Sequence, residues 1–277
     1  MTSAVAQLFD AMAPTYDHLE PWYEHLYDLL HAILREAIGR APSLGARALD
    51  AGCGTGFQSA LLGELGWQTH GVDVSAGLLA VARRRQPGAA LALGSVEALP
   101  YPDARFDAIV CCGSTLSFVD DPARALVDLG RVLRPGGRLL LDCEHRPSLD
   151  LAWMLASALT GDGLGYGVPA REAWRALASR GRLRLTYPGY GLLWLFTRRE
   201  LSAMLRAAGL APVRAWGLHG VTNLIPSTVL HGQRVPRTLG AAYRGLRWLD
   251  AALIDTAPAR ALANSLVVLA ERRQPSA

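Results

Sequence analysis

The stretch Ala48-Leu49-Asp50-Ala51-Gly52-Cys53-Gly54-Thr55-Gly56-Phe57 constrains the fold of this chain more than any other. It reads as the end of a buried strand, a turn of alternate glycines, and a helix that continues through Gln58-Ser59-Ala60-Leu61-Leu62. Glycines at such a turn accept positive φ and let a ligand approach main-chain atoms. The helix that follows offers unpaired N–H groups at its start. A dinucleotide site uses G-x-G-x-x-G and seats a pyrophosphate on the helix. Here the glycines run G-x-G-x-G, and Asp50 stands just ahead of them. A carboxylate at that point repels a pyrophosphate and attracts a cation such as an ammonium or a sulfonium. A purely structural turn is the alternative reading.

With that acid in place, Asp50 to Gly56 resembles the first motif, D-x-G-x-G-x-G, of the class I S-adenosylmethionine-dependent methyltransferases. The resemblance implies an α/β fold: a Rossmann-like sheet of seven strands, the last antiparallel, with S-adenosylmethionine as cofactor. It also implies cofactor contacts from Asp50, Ala51, Gly52, Gly54 and Gly56. Upstream, Phe9-Asp10-Ala11-Met12-Ala13-Pro14-Thr15-Tyr16-Asp17 resembles the F-D-x-x-A-x-x-Y-D entry of the glycine N-methyltransferase-like and quinone C-methyltransferase groups. There the segment implies a lid, with Tyr16 facing the methionine end of the cofactor and available as a proton acceptor. Such a lid excludes water; an ordinary amphipathic helix pair is the alternative.

From Arg47 onward strands and helices alternate, as in a parallel sheet with crossover helices. Strands are expected at Arg47–Asp50, Gln68–Val74, Ala90–Leu93, Phe106–Cys111 and Arg138–Cys143. Asp73, with Val74 beside it, ends the second strand, where a carboxylate accepts both hydroxyls of a ribose. Ser75 serves equally well as cap of the next helix. Related enzymes carry an acid where Ser95 stands, so the adenine contact falls to Ser95, Val96 or Glu97. Cys112-Gly113-Ser114-Thr115 resembles the C-x-G-N-S loop that touches the methionine moiety and the acceptor, which implies cofactor contact at Cys112 and Gly113 and acceptor contact at Ser114 and Thr115. Arg134-Pro135-Gly136-Gly137 reads as a tight turn before strand five.

The expected layout is a helical lid over 1–40, an α/β core over 41–147, an insertion over 148–196, and completion of the core over 197–277 with a second insertion at 219–263. The first insertion reads as helices at 149–159 and 171–179 and β-like segments at 182–187 and 190–196. Thr197 and Glu200 form a capping box, and Gly209 stops that helix. Prolines 226, 236 and 258 break the second insertion. Strands six and seven follow at Pro212–Gly220 and Ser265–Glu271.

Methyl transfer from a sulfonium needs no covalent nucleophile. It needs an aligned acceptor, a dry site and sometimes a base. His145, at the exit of strand five, is the leading base by location, with Tyr16 and His219 as further candidates and His231 behind them. Tyr187, Tyr190 and Trp194 in the first insertion suit an apolar or aromatic acceptor, or fill the insertion's own core.

Composition narrows the partners. The 28 basic residues are all arginine and the net charge is +4, but they are scattered rather than clustered with aromatics, which argues against nucleic acid. No apolar run spans a bilayer. The start lacks the charged and apolar regions of a signal peptide, and Cys53, Cys111, Cys112 and Cys143 lack metal-ligand spacing, so a reducing cytoplasm and no metal are expected. The resulting expectation is a methyltransferase acting at N or O of a small, apolar or aromatic metabolite, with a homodimer left open. The alternatives are methylation of a membrane quinone or lipid, and a non-catalytic protein that binds the cofactor. An NAD-type oxidoreductase is disfavoured by the glycine spacing and Asp50.

Overall fold

Ala48, Leu49 and Ala51 are buried on both faces of the first strand, the mark of a central strand in a helix-covered parallel sheet. A computed structural model describes residues 4–19, 23–187, 189–230 and 237–274; Pro21, His231 and Pro236 lie outside the described residues. The strands are β1 (Arg47–Ala51), β2 (Gln68–Asp73), β3 (Ala90–Leu93), β4 (Phe106–Cys111), β5 (Leu133–Glu144), β6 (Leu183–Tyr187), β7 (Gly191–Leu195), β8 (Leu210–Leu218) and β9 (Ser265–Arg272). Helices α1 (Ala4–Met12) and α2 (Tyr23–Ala37) precede β1. Crossovers are made by α3 (Phe57–Glu64), α4 (Ala76–Arg85), the single turn α5 (Thr115–Phe118) and α6 (Pro122–Val132).

The seven-stranded sheet has the order β3-β2-β1-β4-β5-β9-β8. Pairings β1–β2, β1–β4, β2–β3 and β4–β5 are parallel, and the sheet as a whole is mixed. The order reverses beside β1, so the ends of β1 and β4 open a crevice at the point where such sheets bind ligands.

Most expected elements form with their boundaries shifted by a residue or two. The Pro-Gly-Gly segment differs: it is not a turn ahead of β5 but an irregularity inside it. Leu133 pairs with Phe106, and pairing resumes at Arg138 opposite Ala108. The extra residues bulge out of register, with Gly136 at φ 76° making the bend.

The chain divides into two compact units, one of residues 1–142, 202–214 and 268–277, the other of residues 143–201 and 215–267. Both expected insertions fall in the second unit. It contains α7 (Leu149–Leu159), α8 (Ala170–Ala178), the antiparallel β6–β7 hairpin, α10 (Ser227–Leu230), α11 (Arg237–Leu253) and α12 (Ala257–Leu262). The long α11 was not expected from the proline pattern. Pro226 and Pro258 stand just before α10 and in the first turn of α12, where a missing N–H costs nothing. The helix α9 (Arg198–Ala207) opens with the expected capping box: Glu200 N donates to Thr197 Oγ1 at 3.3 Å, and Thr197 Oγ1 to Glu200 Oε2 at 2.8 Å.

At the heart of the second unit lies the buried carboxylate of Asp150. Tyr166 Oη donates to its Oδ1 at 2.7 Å, Tyr187 Oη to Oδ2 at 2.7 Å, and Ser227 Oγ to Oδ2 at 2.6 Å. Donors at these oxygens offset the cost of burying a polar group. Among the described residues no helix is long and apolar enough to cross a membrane.

Candidate active site

The glycine turn is pinned from both sides. Gly52 N and Cys53 N donate to the Val72 carbonyl at 2.8 and 3.0 Å, which ties the turn to β2. Gly54 N then donates to Asp73 Oδ2 at 2.9 Å, while Ser75 N donates to Asp73 Oδ1 at 2.8 Å. Main-chain N–H groups of Gly54, Ser75 and Val74 thus hold the Asp73 carboxylate in place. Burial pushes the Asp73 carboxyl upward, and these N–H bonds oppose it. Ser75 itself caps α4, its Oγ accepting from Leu78 N at 3.1 Å. The capping role weighed for these residues therefore belongs to Ser75.

Gly52, Gly54 and Gly56 all have positive φ, at 78°, 50° and 88°. A Cβ on Gly54, or on Gly113 (φ 78°), would meet no atom within 4 Å. Both open onto a cleft in the first unit. Of the residues expected at the cofactor, Tyr16, Gly52, Gly54, Asp73, Val74, Ser95, Val96, Glu97, Cys112 and Gly113 line this cleft, and so does Thr115.

Asp50, Ala51, Gly56 and Ser114 are not among the lining residues. Asp50 is 1% exposed, and Ser59 Oγ donates to its Oδ2 at 2.7 Å. Burial pushes its carboxyl up to about 7, with the nearby Asp73 adding to the rise. Asp50 is thus buried behind the cleft wall rather than on it. Ser114, at φ 58°, gives its N–H to Asp142 Oδ1 at 2.8 Å. Burial holds Asp142 up at about 6. This carboxylate on β5 anchors the Gly113–Ser114 bend.

Where the adenine contact was expected, Ser95 Oγ accepts from Glu97 N at 3.1 Å, which leaves its hydrogen to give. The Glu97 carboxylate accepts from Asp121 N at 2.8 Å. Asp121 is the cap of α6, accepting from Ala123 N and Arg124 N at 3.0 and 3.1 Å.

The N-terminal motif covers the cleft through named contacts. Phe9 packs edge-on against Phe118 at 5.2 Å and against Tyr16 at 6.3 Å between ring centroids. Asp10 Oδ1 accepts from Ser75 Oγ at 2.6 Å and Gly77 N at 2.9 Å, so the lid carboxylate sits over the start of α4. Those bonds lower its pKa. Ala13 abuts Gly77, where a Cβ would come within 2.9 Å of Ala13 Cβ. The spacing of F-D-x-x-A-x-x-Y-D thus corresponds to ring, cap, small contact, ring and ion pair.

The remaining candidates lie in the second unit. His145 is 2% exposed, its Nδ1 3.0 Å from the Ala263 carbonyl, and burial lowers its pKa. His219 Nδ1 is 3.0 Å from Thr222 Oγ1, and burial brings the ring down to about 4. Tyr187 is bonded to Asp150 as described, Tyr190 tilts against Tyr187 at 6.4 Å, and Trp194 carries Arg182 and Arg184 at 5.3 and 5.2 Å over its ring. Lining residues not singled out from the sequence include Cys53, Thr55, Phe57 and Gln58, interleaved with the glycines, and Phe118, Val119 and Asp120, which follow Thr115. Their position beside recognised motifs was the available signal. Among the described residues no cluster of His, Cys, Asp or Glu could hold a metal ion.

Residues 49–141 match the family model described as a methyltransferase domain. The malonyl-[acyl-carrier protein] O-methyltransferase of Serratia marcescens is 38% identical over 129 residues, covering 44% of this chain and 50% of that protein. The demethylmenaquinone methyltransferase of Renibacterium salmoninarum is 37% identical over 110 residues, covering 38% of this chain and 44% of that protein. The chain spans about half the length of these curated relatives. The 1,6-didemethyltoxoflavin-N1-methyltransferase of Burkholderia thailandensis, solved with 1,6-didemethyltoxoflavin and S-adenosylhomocysteine bound, superposes with a TM-score of 0.55 at 20% identity, covering 98% of this chain and 89% of that one. At that identity the likeness is one of fold.

Proposed function

We propose that this chain, whose core is a class I S-adenosylmethionine-dependent methyltransferase domain, transfers a methyl group by in-line displacement to O or N of a small apolar or aromatic metabolite. The observation that carries the reading is Asp73, on the cleft wall with its carboxylate fixed by Gly54 N and Ser75 N. S-adenosylmethionine supplies the activated methyl on its cationic sulfur.

This chain's residues bind and orient. Asp73 accepts the ribose hydroxyls, and Ser95 and Val96 border the adenine. The open main chain at Gly54 and Gly113 lets the amino-acid end approach closely. Asp50 and Asp142, buried beneath the cleft floor, favour a cation above them. Phe9, Tyr16 and Phe118 wall the cleft with apolar surface that excludes water. Thr115, whose Oγ1 donates to the Cys112 carbonyl at 3.1 Å, presents its lone pairs to an acceptor. Names such as malonyl-[acyl-carrier protein] O-methyltransferase among the relatives support an oxygen acceptor. The toxoflavin enzyme, similar in fold, is named an N1-methyltransferase.

The test is transfer of labelled methyl to a panel of carboxylic acids, phenols and aromatic amines. Label in any acceptor supports the reading. Tight cofactor binding with no transfer across the panel supports the non-catalytic alternative.

A second reading, methylation of a membrane-lodged quinone, is favoured by the demethylmenaquinone relatives and by exposed Trp174 and Trp248 (61% and 71%) in the arginine-bearing second unit. Co-sedimentation with anionic liposomes supports it; no bound fraction counts against it.

A further inference from the structure

The run Arg83-Arg84-Arg85 ends α4 and looks like a solvated helix terminus. The structure divides it. Arg83 and Arg84 are exposed, whereas the Arg85 side chain is only 24% exposed and turned inward.

Its guanidinium reaches two elements. Nη1 donates to the Thr55 carbonyl at 2.7 Å and to Thr55 Oγ1 at 2.8 Å, inside the glycine turn. Nη2 donates to Asp17 Oδ2 at 2.7 Å, at the end of the N-terminal motif. The guanidinium carbon lies 3.6 Å from the centre of the Phe57 ring. Thr55 and Phe57 line the cleft, and so does Tyr16, next in the chain to Asp17.

We infer that Arg85 is a positioning residue that locks the N-terminal cover to the glycine turn and thereby sets how long a ligand stays in the cleft. The inference rests on the reading of this cleft as a cofactor site. A half-exposed ion pair by itself holds little. Here one planar cation makes three charge-assisted bonds and stacks on a ring, a geometry that a lysine cannot reproduce. Helix α4 grips the cover at both of its own ends. Ser75 and Gly77 take Asp10 at the start, and Arg85 takes Asp17 at the finish. A ligand under Tyr16 leaves only after the cover lifts, and lifting it breaks the Arg85–Asp17 pair. The same guanidinium fixes the Thr55 peptide, so loss of the pair also loosens the turn that holds the ligand. The acid of the final Y-D in the N-terminal motif thereby acquires a role: it is the cover's half of the lock.

The experiment compares wild type with Arg85→Ala, Arg85→Lys and Asp17→Asn. Two readouts are taken: the dissociation rate of S-adenosylhomocysteine, and amide hydrogen exchange of residues 4–17 without ligand. Arg85→Ala and Asp17→Asn should each speed dissociation by about tenfold, within the usual range of coupling between sites, and both should raise exchange in residues 4–17. Arg85→Lys should recover only part of either effect. Melting temperatures within a few degrees of wild type separate this from misfolding, and Asp17→Asn keeps the result interpretable should Arg85→Ala fold poorly. Unchanged exchange in residues 4–17, or dissociation within about twofold of wild type, overturns the inference. Wild type that shows no affinity for S-adenosylhomocysteine overturns the cofactor reading instead, while the exchange readout still decides whether the lock exists.

Discussion

A Cβ placed on Gly52 would lie 2.2 Å from Oγ1 of Thr115. The first glycine of the turn and the threonine of the second loop therefore interlock, and the two loops that frame the cleft are one packed unit. Gly52→Ala is expected to destabilise the protein by about 1–3 kcal/mol through overpacking, with further strain from φ 78°. Adding Thr115→Gly should relieve the steric part and leave the strain. Urea denaturation of the single and double variants checks this. Gly54→Ala, which meets no protein atom, should instead weaken ligand binding more than stability.

The Asp50 carboxyl titrates near 7 because burial penalises its charge. Its folded pKa lies above the unfolded value, so its stabilising contribution is complete below about 4 and is lost as pH rises toward 7. A bound cation favours the ionised form. The affinity of S-adenosylmethionine relative to the uncharged thioether S-adenosylhomocysteine should therefore rise between pH 6 and 8, by up to about tenfold. The ratio cancels ionisations that both ligands share. Titration calorimetry across that range checks it. A flat ratio, or one unaffected by Asp50→Asn, contradicts this role for Asp50.

Asp150 is the shared acceptor of a buried hydroxyl cluster in the second unit. Removing it takes away the carboxylate to which Tyr166, Tyr187 and Ser227 donate. Asp150→Ala should cost on the order of 3 kcal/mol, the penalty for buried donors left without an acceptor, and Tyr187→Phe about 1 kcal/mol. Denaturation followed by tryptophan fluorescence reads both.

The parts of this molecule that the sequence disclosed are those whose signal is local. Alternate glycines behind a buried strand, a cap such as Ser75, and the Thr197–Glu200 box all declare themselves within a few residues. The lid motif was visible as spacing, but the partners of Asp10 and Asp17 lie on α4, far along the chain, so only the structure assigns their bonds. Asp150 was silent for the same reason: its donors come from residues 166, 187 and 227. Whether Tyr187 walls a pocket or fills the insertion's core was not legible, because a hydroxyl committed to a distant acid is invisible in one dimension. Helix α11 was obscured because prolines were read as breakers, whereas Pro226 and Pro258 stand at helix starts. Asp50 was placed correctly on its strand, but sequence position does not say that Ser59 and burial turn it beneath the cleft rather than into it.

The most direct test of the account is the binding of S-adenosylmethionine to wild type and Asp73→Asn by titration calorimetry. An amide in place of the carboxylate cannot accept from Gly54 N, Ser75 N and two ribose hydroxyls together. The account predicts one site per chain in wild type and an affinity about 10–100-fold lower in the variant, as expected for hydrogen bonds to a charged group. Wild type that gives no binding heat, or a variant that binds as tightly as wild type, would contradict it.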